Sequence, residues 1–531
     1  MSITVGRYLV ETLAANDIDT AFGIPGVHTL EFYRGLAHSK IRHVLVRHEQ
    51  GAGFAADGHA RASGRPAAAF VISGPGLTNV LTPAGQAYSD SVPMLVIAST
   101  PPRATLGKAW GVLHELRDQH ALADRVFGIA RSARSAEDVR DHLRACLASL
   151  RSGRPRPAYL EVPLDLLGES TDLVPERFPA PPSPGAGDPA AIEEATRLLN
   201  AAERPLIVAG GGAVHAAGEL RILAERLDAL LVTTTAGKGI LPDRHEAHLG
   251  ASLPYRETQE LAASADVVLA VGTEIAETDI YWSTRLALGG RMIRIDVDPA
   301  KLADHYGAAV PILGDARRAL EALLPGVESR SGWRTRLGGA AAVRARIDAS
   351  WNPAARTFST VLAAIRAGLP ADGVVFSDMT QIAYHGNYAF PVDRPGCWFH
   401  PSGYGTLGFA LPAAVGAKIA LPTRAVLALA GDFGLQFTLG ELMTAAESAL
   451  ALPIVVWNNA ALGQIRDDMT AAGIPPLGVI ARNPDFQALA RACGVRAVRI
   501  RGDEGLTAAV REALAASGPT LIEITEGPKN A

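Results

Sequence analysis

A chain of 531 residues exceeds what one hydrophobic core holds and, at the usual domain size, divides into about three domains. With 48% hydrophobic residues and 53 glycines it fits a compact α/β protein. A formal net charge of −4 excludes the basic field that holds nucleic acid or an anionic membrane, so small-molecule chemistry is favoured.

The N-terminal run Met1-Ser2-Ile3-Thr4-Val5-Gly6-Arg7 lacks a long apolar core and a cleavage pattern. No later charge-free apolar run reaches the ~20 residues that cross a bilayer, so a cytoplasmic protein is expected. Cys146, Cys397 and Cys493 are scattered and odd in number, which suits a reducing compartment, and they read as packing residues.

Residues 1–172 alternate helix-length spacers with apolar strands predicted at 42–46, 67–72, 94–98 and 158–162, the rhythm of a parallel, doubly wound sheet. The turn Gly23-Ile24-Pro25-Gly26 is followed by His28. Arg47-His48-Glu49-Gln50-Gly51 follows a strand and opens a small-residue helix, placing Glu49 at the strand end where ligand-handling groups gather in this architecture. Glu49 also reads as a solvated charge or a partner for Arg47. His28 and His114, in Leu113-His114-Glu115-Leu116, titrate near neutral pH and so either move protons or serve structure.

Six prolines between Pro175 and Pro189 make residues 173–189 a linker. Residues 190–328 repeat the alternation, with strands predicted at 206–209, 230–233, 266–271 and 292–297. Gly210-Gly211-Gly212 after the first of them is either a Rossmann-like nucleotide cradle or a turn that lets a helix pack close. Residues 329–351, with five arginines, form a charged helical connector.

Residues 352–531 begin with a strand predicted at 373–376 and contain two further strands, 426–430 and 453–457. Gly431-Asp432-Phe433-Gly434 follows the first of these two and Asn458-Asn459 the second. Asp432 and Asn459 are 27 positions apart, about the length of strand, crossover helix and strand, so both oxygens reach one edge of one sheet. A hard dication such as Mg²⁺ takes carboxylate and amide oxygens together with phosphate, and the stretch reads as a metal and diphosphate clamp. Asp432 as a simple helix cap is the other reading.

The Gly431 to Gly434 run followed by Asn458-Asn459 resembles the signature of thiamine diphosphate enzymes, with Phe433 standing where glycine is usual. The Glu49 segment resembles the one whose glutamate bonds the cofactor's aminopyrimidine ring. Gly23 to Gly26, Ser73-Gly74-Pro75-Gly76-Leu77-Thr78-Asn79 and Gly405-Thr406-Leu407-Gly408-Phe409-Ala410 match further patterns in the family's order. The chain is thus similar to the acetolactate synthase-like branch. That resemblance implies three doubly wound parallel-sheet α/β domains: pyrimidine-binding (1–172), central Rossmann-like (190–328) and diphosphate-binding (352–531).

It also implies Asp432, Asn459 and the Ala461 carbonyl as Mg²⁺ ligands and Glu49 as a catalytic group, with His28 and His114 as the candidates for catalytic proton delivery read from the residues themselves. Cofactor contacts are implied for Pro25, Gly26, Glu49, Thr78, Asn79, Gly405, Gly431, Asp432, Phe433, Gly434, Asn459, Leu462, Gly463 and Ile465, with Leu407 as the apolar wedge beneath the cofactor. Glutamate and clamp come from different subunits in the family, so a homodimer is the minimum and a homotetramer is expected. FAD is not expected, because Val271-Gly272-Thr273-Glu274-Ile275-Ala276-Glu277 replaces the Arg-Phe-Asp-Asp-Arg run of FAD-binding relatives.

The implied reaction is non-oxidative decarboxylation of a 2-oxo acid, its enamine protonated to an aldehyde. Attack on a second oxo acid would instead make an acetolactate synthase-type carboligase, and Phe433 keeps an inactive homologue in view. The run from Ala461 to Met469, with Gly26 to Leu36 and Leu113 to Gln119, looks like 2-ketoarginine (5-guanidino-2-oxopentanoate) decarboxylases. Asp467, Asp468 and Glu115 are then candidates to meet a guanidinium tail. Alternatively the two aspartates lie on a solvated helix face with Arg466.

Overall fold

The computed structural model describes residues 2–525 except 282 and 284. Three parallel sheets carry the chain, as the strand rhythm predicts. In the first, the strands run side by side in the order Arg42–Leu45, Thr20–Gly23, Ala68–Val71, Leu95–Thr100, Ala158–Pro163, Ile129–Ser132. Because every pair is parallel, all the loops that follow the strands leave from one edge, and the order reverses between Thr20–Gly23 and Ala68–Val71. Ligands of open α/β sheets bind at such a reversal. Ile3–Thr4 pairs antiparallel with Ser170–Thr171, closing this stretch on itself.

The sheet of the C-terminal stretch places Val374–Ser377, Val426–Gly431, Pro453–Asn458, Thr520–Thr525 and Arg496–Arg501 side by side, all parallel. Its central strands are buried along their length, as strands covered on both faces must be. Residues 1–182, 374–381 and 403–531 form one unit, and residues 183–373 with 382–402 a second.

Within the first unit the helices Glu49–Ser63 and Ala410–Ala420 cross backbone to backbone. A Cβ on Gly58 would lie 2.0 Å from the Ala413 carbonyl oxygen, and one on Gly416 would lie 1.9 Å from that of Ala55, so only glycine permits the crossing. Phe54 and Phe409 meet edge to face beside it at 5.5 Å, both fully buried. Each ring contributes about 1.5–3 kcal/mol of burial, fixing the helix that Glu49 begins.

The second unit has strands Leu230–Thr233, Pro205–Ala209, Val267–Val271, Arg291–Asp296 and Val310–Leu313 in that order, all parallel. Gly210 N–H donates to the Val271 carbonyl and Gly212 N–H to that of Gly272, and a Cβ on Gly210 would lie 2.4 Å from the Gly272 oxygen. The glycine run therefore serves the close approach of two loops. Residues 172–188 hold no helix or strand, and the connector forms the helices Trp333–Leu337 and Gly339–Ala349.

Cys146 and Cys397 are buried, and burial pushes the Cys146 thiol up to about 12, which leaves it no nucleophile. Among the described residues no helix is long and apolar enough to cross a membrane.

Candidate functional site

The loops that leave the first sheet's upper edge carry the candidates from the N-terminal stretch. Gly26 follows the strand Thr20–Gly23, and its N–H donates to Thr29 Oγ1 at 2.9 Å, closing a tight turn. His28, next in that turn, is buried and its Nδ1 is hydrogen-bonded to Ser73 Oγ at 2.5 Å. The ring of His114 stands edge-on to it at 4.9 Å. Burial and the neighbouring His114 hold the His28 pKa below the ordinary value, so the neutral ring prevails at pH 7.

Gly74 explains how these loops meet. Its φ is +65°, and a Cβ there would lie 2.5 Å from the His114 carbonyl oxygen. The loop after Leu95–Thr100 can settle onto the Ser73-Gly74 turn only because that side chain is missing.

Glu49 is the first residue of its helix, and its Oε2 accepts a hydrogen bond of 2.9 Å from Asn79 Nδ2. Arg47 pairs with Glu447 instead, which removes the reading of Glu49 as its partner. Thr78 sits beside Asn79 in the helix Pro75–Ser89, its Oγ1 donating to the Pro75 carbonyl.

A residue that no sequence pattern marks fixes the entry to the helix Glu49–Ser63. Glu441 is 2% exposed, and its Oε1 accepts the backbone N–H of Arg47 at 3.0 Å and of His48 at 3.2 Å. Burial raises its pKa, and these two donors with Thr444 Oγ1 oppose that rise.

The candidate clamp residues lie where the C-terminal sheet's strands end. Gly431 and Trp457 are partners in register, so Asp432 stands beside the Asn458 to Ala461 loop. Asp432 is 2% exposed; burial raises its pKa, while N–H groups of Asn483, Phe433 and Ala460 oppose the rise. Asn459 Oδ1 accepts the Ala461 N–H at 3.1 Å, and Ala460 takes a positive φ of 52° to turn the chain between them. Such a strained non-glycine residue marks a turn that its surroundings over-determine.

Phe433 lies inside the helix Asp432–Phe437, half-buried. The demand for glycine falls on Gly434, where a Cβ would lie 2.8 Å from Asp378 Oδ2. Asp432 is the first residue of that helix and not its cap: the cap position is Gly431, which offers no side chain, and Asp432 Oδ1 accepts the adjacent Phe433 N–H at 3.1 Å.

Leu407, half-buried, is held from two sides. Asp378, fully buried and pushed up to about 6, accepts the Gly408 N–H with both oxygens at 3.0 and 3.1 Å. Gln86 Oε1 accepts from Thr406 Oγ1 at 3.0 Å, and Asp90 Oδ1 accepts the Gly403 N–H at 2.8 Å. Gly405 takes a positive φ of 69° within this loop.

The helix Gly463–Ala471 carries the proposed cation acceptors, with Leu462 just before it and Ile465 exposed on it. A Cβ on Gly463 would strike Gln381 and Asn459, so that glycine lets the helix start against the clamp. Asp467 Oδ1 pairs with Arg466 at 2.9 Å and its Oδ2 accepts from Gln381 Nε2 at 2.8 Å, while Asp468 Oδ1 accepts from Gln464 Nε2 at 2.9 Å. Glu115 Oε2 accepts the Gly111 N–H at 2.9 Å. Asp467 thus has protein partners on both oxygens, as the solvated-face reading holds.

A buried carboxylate joined by amide and backbone oxygens beside a glycine-bearing strand end is a donor set suited to Mg²⁺ carrying phosphate. Among the described residues no three His, Cys, Asp or Glu side chains converge as a metal cage.

Three stretches match domains of known proteins in the order the fold presents them: the thiamine pyrophosphate enzyme N-terminal TPP binding domain at residues 3–122, the central domain at 192–323 and the C-terminal TPP binding domain at 378–524. Over 98% of its length the chain is 49% identical to a protein of Pseudomonas aeruginosa named a probable 2-ketoarginine decarboxylase, covering 94% of it. The chain belongs to the thiamine pyrophosphate enzyme family.

More distant thiamine pyrophosphate enzymes align as fully. The large subunit of acetolactate synthase isozyme 1 from Escherichia coli is 29% identical over 98% of this chain and 93% of its own length. An acetolactate synthase from Mycobacterium bovis is 31% identical over 99% and 88%. The three sheets are the three domains of this family, and two of the matches name the binding of thiamine pyrophosphate, the molecule also called thiamine diphosphate.

Proposed function

We propose that the chain is a thiamine diphosphate- and Mg²⁺-dependent decarboxylase of a 2-oxo acid with a guanidinium tail. The observation that carries this reading is the buried Asp432 set against the Asn459 to Ala461 turn in a chain 49% identical to a probable 2-ketoarginine decarboxylase. Asp432, Asn459 and the Ala461 carbonyl would hold Mg²⁺, with Gly431 and Gly434 along the diphosphate. Residues 1–172, 190–328 and 352–531 serve in this reading as pyrimidine-binding, central and diphosphate-binding domains.

Thiamine diphosphate, when bound, supplies the electron sink that lets the bond between carboxylate and carbonyl carbon break. The protein's own groups handle protons and solvent. Glu49, fixed by Asn79, would share a proton with the pyrimidine ring of the bound cofactor. His28, neutral at pH 7 and anchored by Ser73, would accept or return a proton, with His114 beside it. Where the site is closed to water, a substrate carboxylate is lost more readily.

Apolar side chains stand exposed around both halves: Val27, Leu30, Trp110 and Leu113 beside the histidines, and Ile465, Leu477 and Ile480 beside the clamp. Apolar faces of this kind favour burial against a second copy, which supports a homodimer at least.

Parallel assays of CO₂ release from 2-ketoarginine, pyruvate and benzoylformate test the reading. Preference for 2-ketoarginine with an aldehyde product is expected; pyruvate turned into acetolactate would overturn it in favour of a carboligase, and inactivity on all three in favour of an inactive homologue. His28→Phe is expected to slow turnover about 10²-fold. The acid limb of the wild-type pH profile should have its midpoint below 6.5, where His28 takes its proton, and should vanish in the variant. An unchanged limb would assign it to another group.

If the aspartates meet the tail, Asp467→Asn with Asp468→Asn raises KM for 2-ketoarginine about two- to fivefold, the loss of one exposed charge pair, and leaves KM for a neutral 2-oxo acid alone. Equal effects on both substrates would leave the two carboxylates to Arg466, Gln381 and Gln464.

A further inference from the structure

We propose that Asn483 is a positioning residue for the metal ligand Asp432, a role that rests on the clamp reading above. Its Nδ2 donates to Asp432 Oδ2 at 2.6 Å and to Asn458 Oδ1 at 2.9 Å, so both amide protons are used. Its Oδ1 accepts from Gln436 Nε2 at 3.2 Å. Two acceptors on the nitrogen side and a donor on the oxygen side fix which way the amide points.

Asn458 is fixed in turn. Its Oδ1 also accepts the Ala460 N–H at 3.2 Å, and its Nδ2 donates to Glu523 Oε1 at 2.8 Å. Glu523, 2% exposed, receives Gln487 Nε2 at 3.0 Å and Arg499 Nε at 2.9 Å on its other oxygen. An unbroken polar line therefore runs from Asp432 through Asn483 and Asn458 to a buried carboxylate anchored by a guanidinium.

The line sets the plane of the Asp432 carboxyl group. Oδ2 is held by Asn483 and Oδ1 by the Phe433 N–H, with the Ala460 N–H also directed at the carboxyl group. A ligand oxygen held in one orientation serves a small ion that demands near-ideal octahedral geometry. The backbone of Asn483 is restrained as well: Pro484 confines it to extended conformations, and Asp485 caps the helix Phe486–Ala492 by accepting the N–H of Gln487 and Ala488.

Mn²⁺, bound in place of Mg²⁺ and counted by electron paramagnetic resonance with thiamine diphosphate present, tests the role. Asn483→Ala is expected to weaken Mn²⁺ binding about 10–100-fold, as loss of a group orienting a metal ligand does, with apo melting temperature unchanged. Equal Mn²⁺ affinity, or a fall in apo melting with affinity per folded molecule preserved, overturns the proposal. Should Asn483→Ala fail to fold, Gln436→Ala, which removes an exposed side chain whose Nε2 holds Asn483 Oδ1 and also the Asp432 backbone carbonyl, carries the test, with at least about threefold weakening expected and unchanged affinity contradicting it. A wild-type protein that takes up no Mn²⁺ would overturn the clamp reading itself, and this proposal with it.

Discussion

Glu49→Gln is expected to lower the rate of CO₂ release by about 10²–10⁴-fold, the contribution of a positioned acid or base. The substitution keeps shape and most of the hydrogen bonding: a carboxamide oxygen still accepts from Asn79 Nδ2, and the helix behind it stays locked by the Gly58 and Gly416 crossing. What it removes is a carboxylate able to share a proton with a ring nitrogen. Thiamine diphosphate affinity should therefore change little, and single-turnover CO₂ release measured beside calorimetric cofactor binding separates the two. Full turnover in the variant would leave Glu49 as a structural end of its helix.

Asp432→Ala acts on binding. A buried carboxylate with a raised pKa gains little from its place in the apo protein, so the variant should melt no lower than wild type without cofactor. With Mg²⁺ and thiamine diphosphate at a hundredfold excess over Kd, wild type gains about 2.7 kcal/mol by mass action, and the variant should gain none. Thermal unfolding with and without cofactor reads both expectations. Cofactor stabilisation that survives the substitution would move the metal away from Asp432.

The groups legible in the sequence are those that sit where a run of apolar residues stops. Asp432 and Asn459 each follow such a run, and the crossover between them has the length two neighbouring parallel strands require, so their meeting could be read from spacing. Glu49 and the Ser73 to Asn79 turn were legible in the same way.

Thr520–Thr525, buried from Thr520 to Ile524, and Val310–Leu313 are not among the predicted strands; three others missing from them are short or polar. Thr20–Gly23 has four residues ending in glycine, Ile129–Ser132 is a half-exposed edge strand, and Arg496–Arg501 carries three arginines. Supporting residues escaped for another reason. Glu441 reaches Arg47 across 394 positions and Asn483 reaches Asp432 across 51, and no local pattern encodes either meeting. The nearest sequence signal was Asp485 as a helix cap, which places Asn483 at a fixed turn without saying what it faces.

The two inactive variants, mixed, test whether one glutamate and one clamp from separate chains share a cofactor. If they do, Glu49→Gln and Asp432→Ala subunits unfolded and refolded together form mixed dimers in which one site keeps both wild-type groups, and about a quarter of wild-type activity returns. Recovery of that size is expected. A mixture as inactive as its components, with mixed dimers shown to be present, would contradict a site built from Glu49 of one chain and Asp432 of its neighbour.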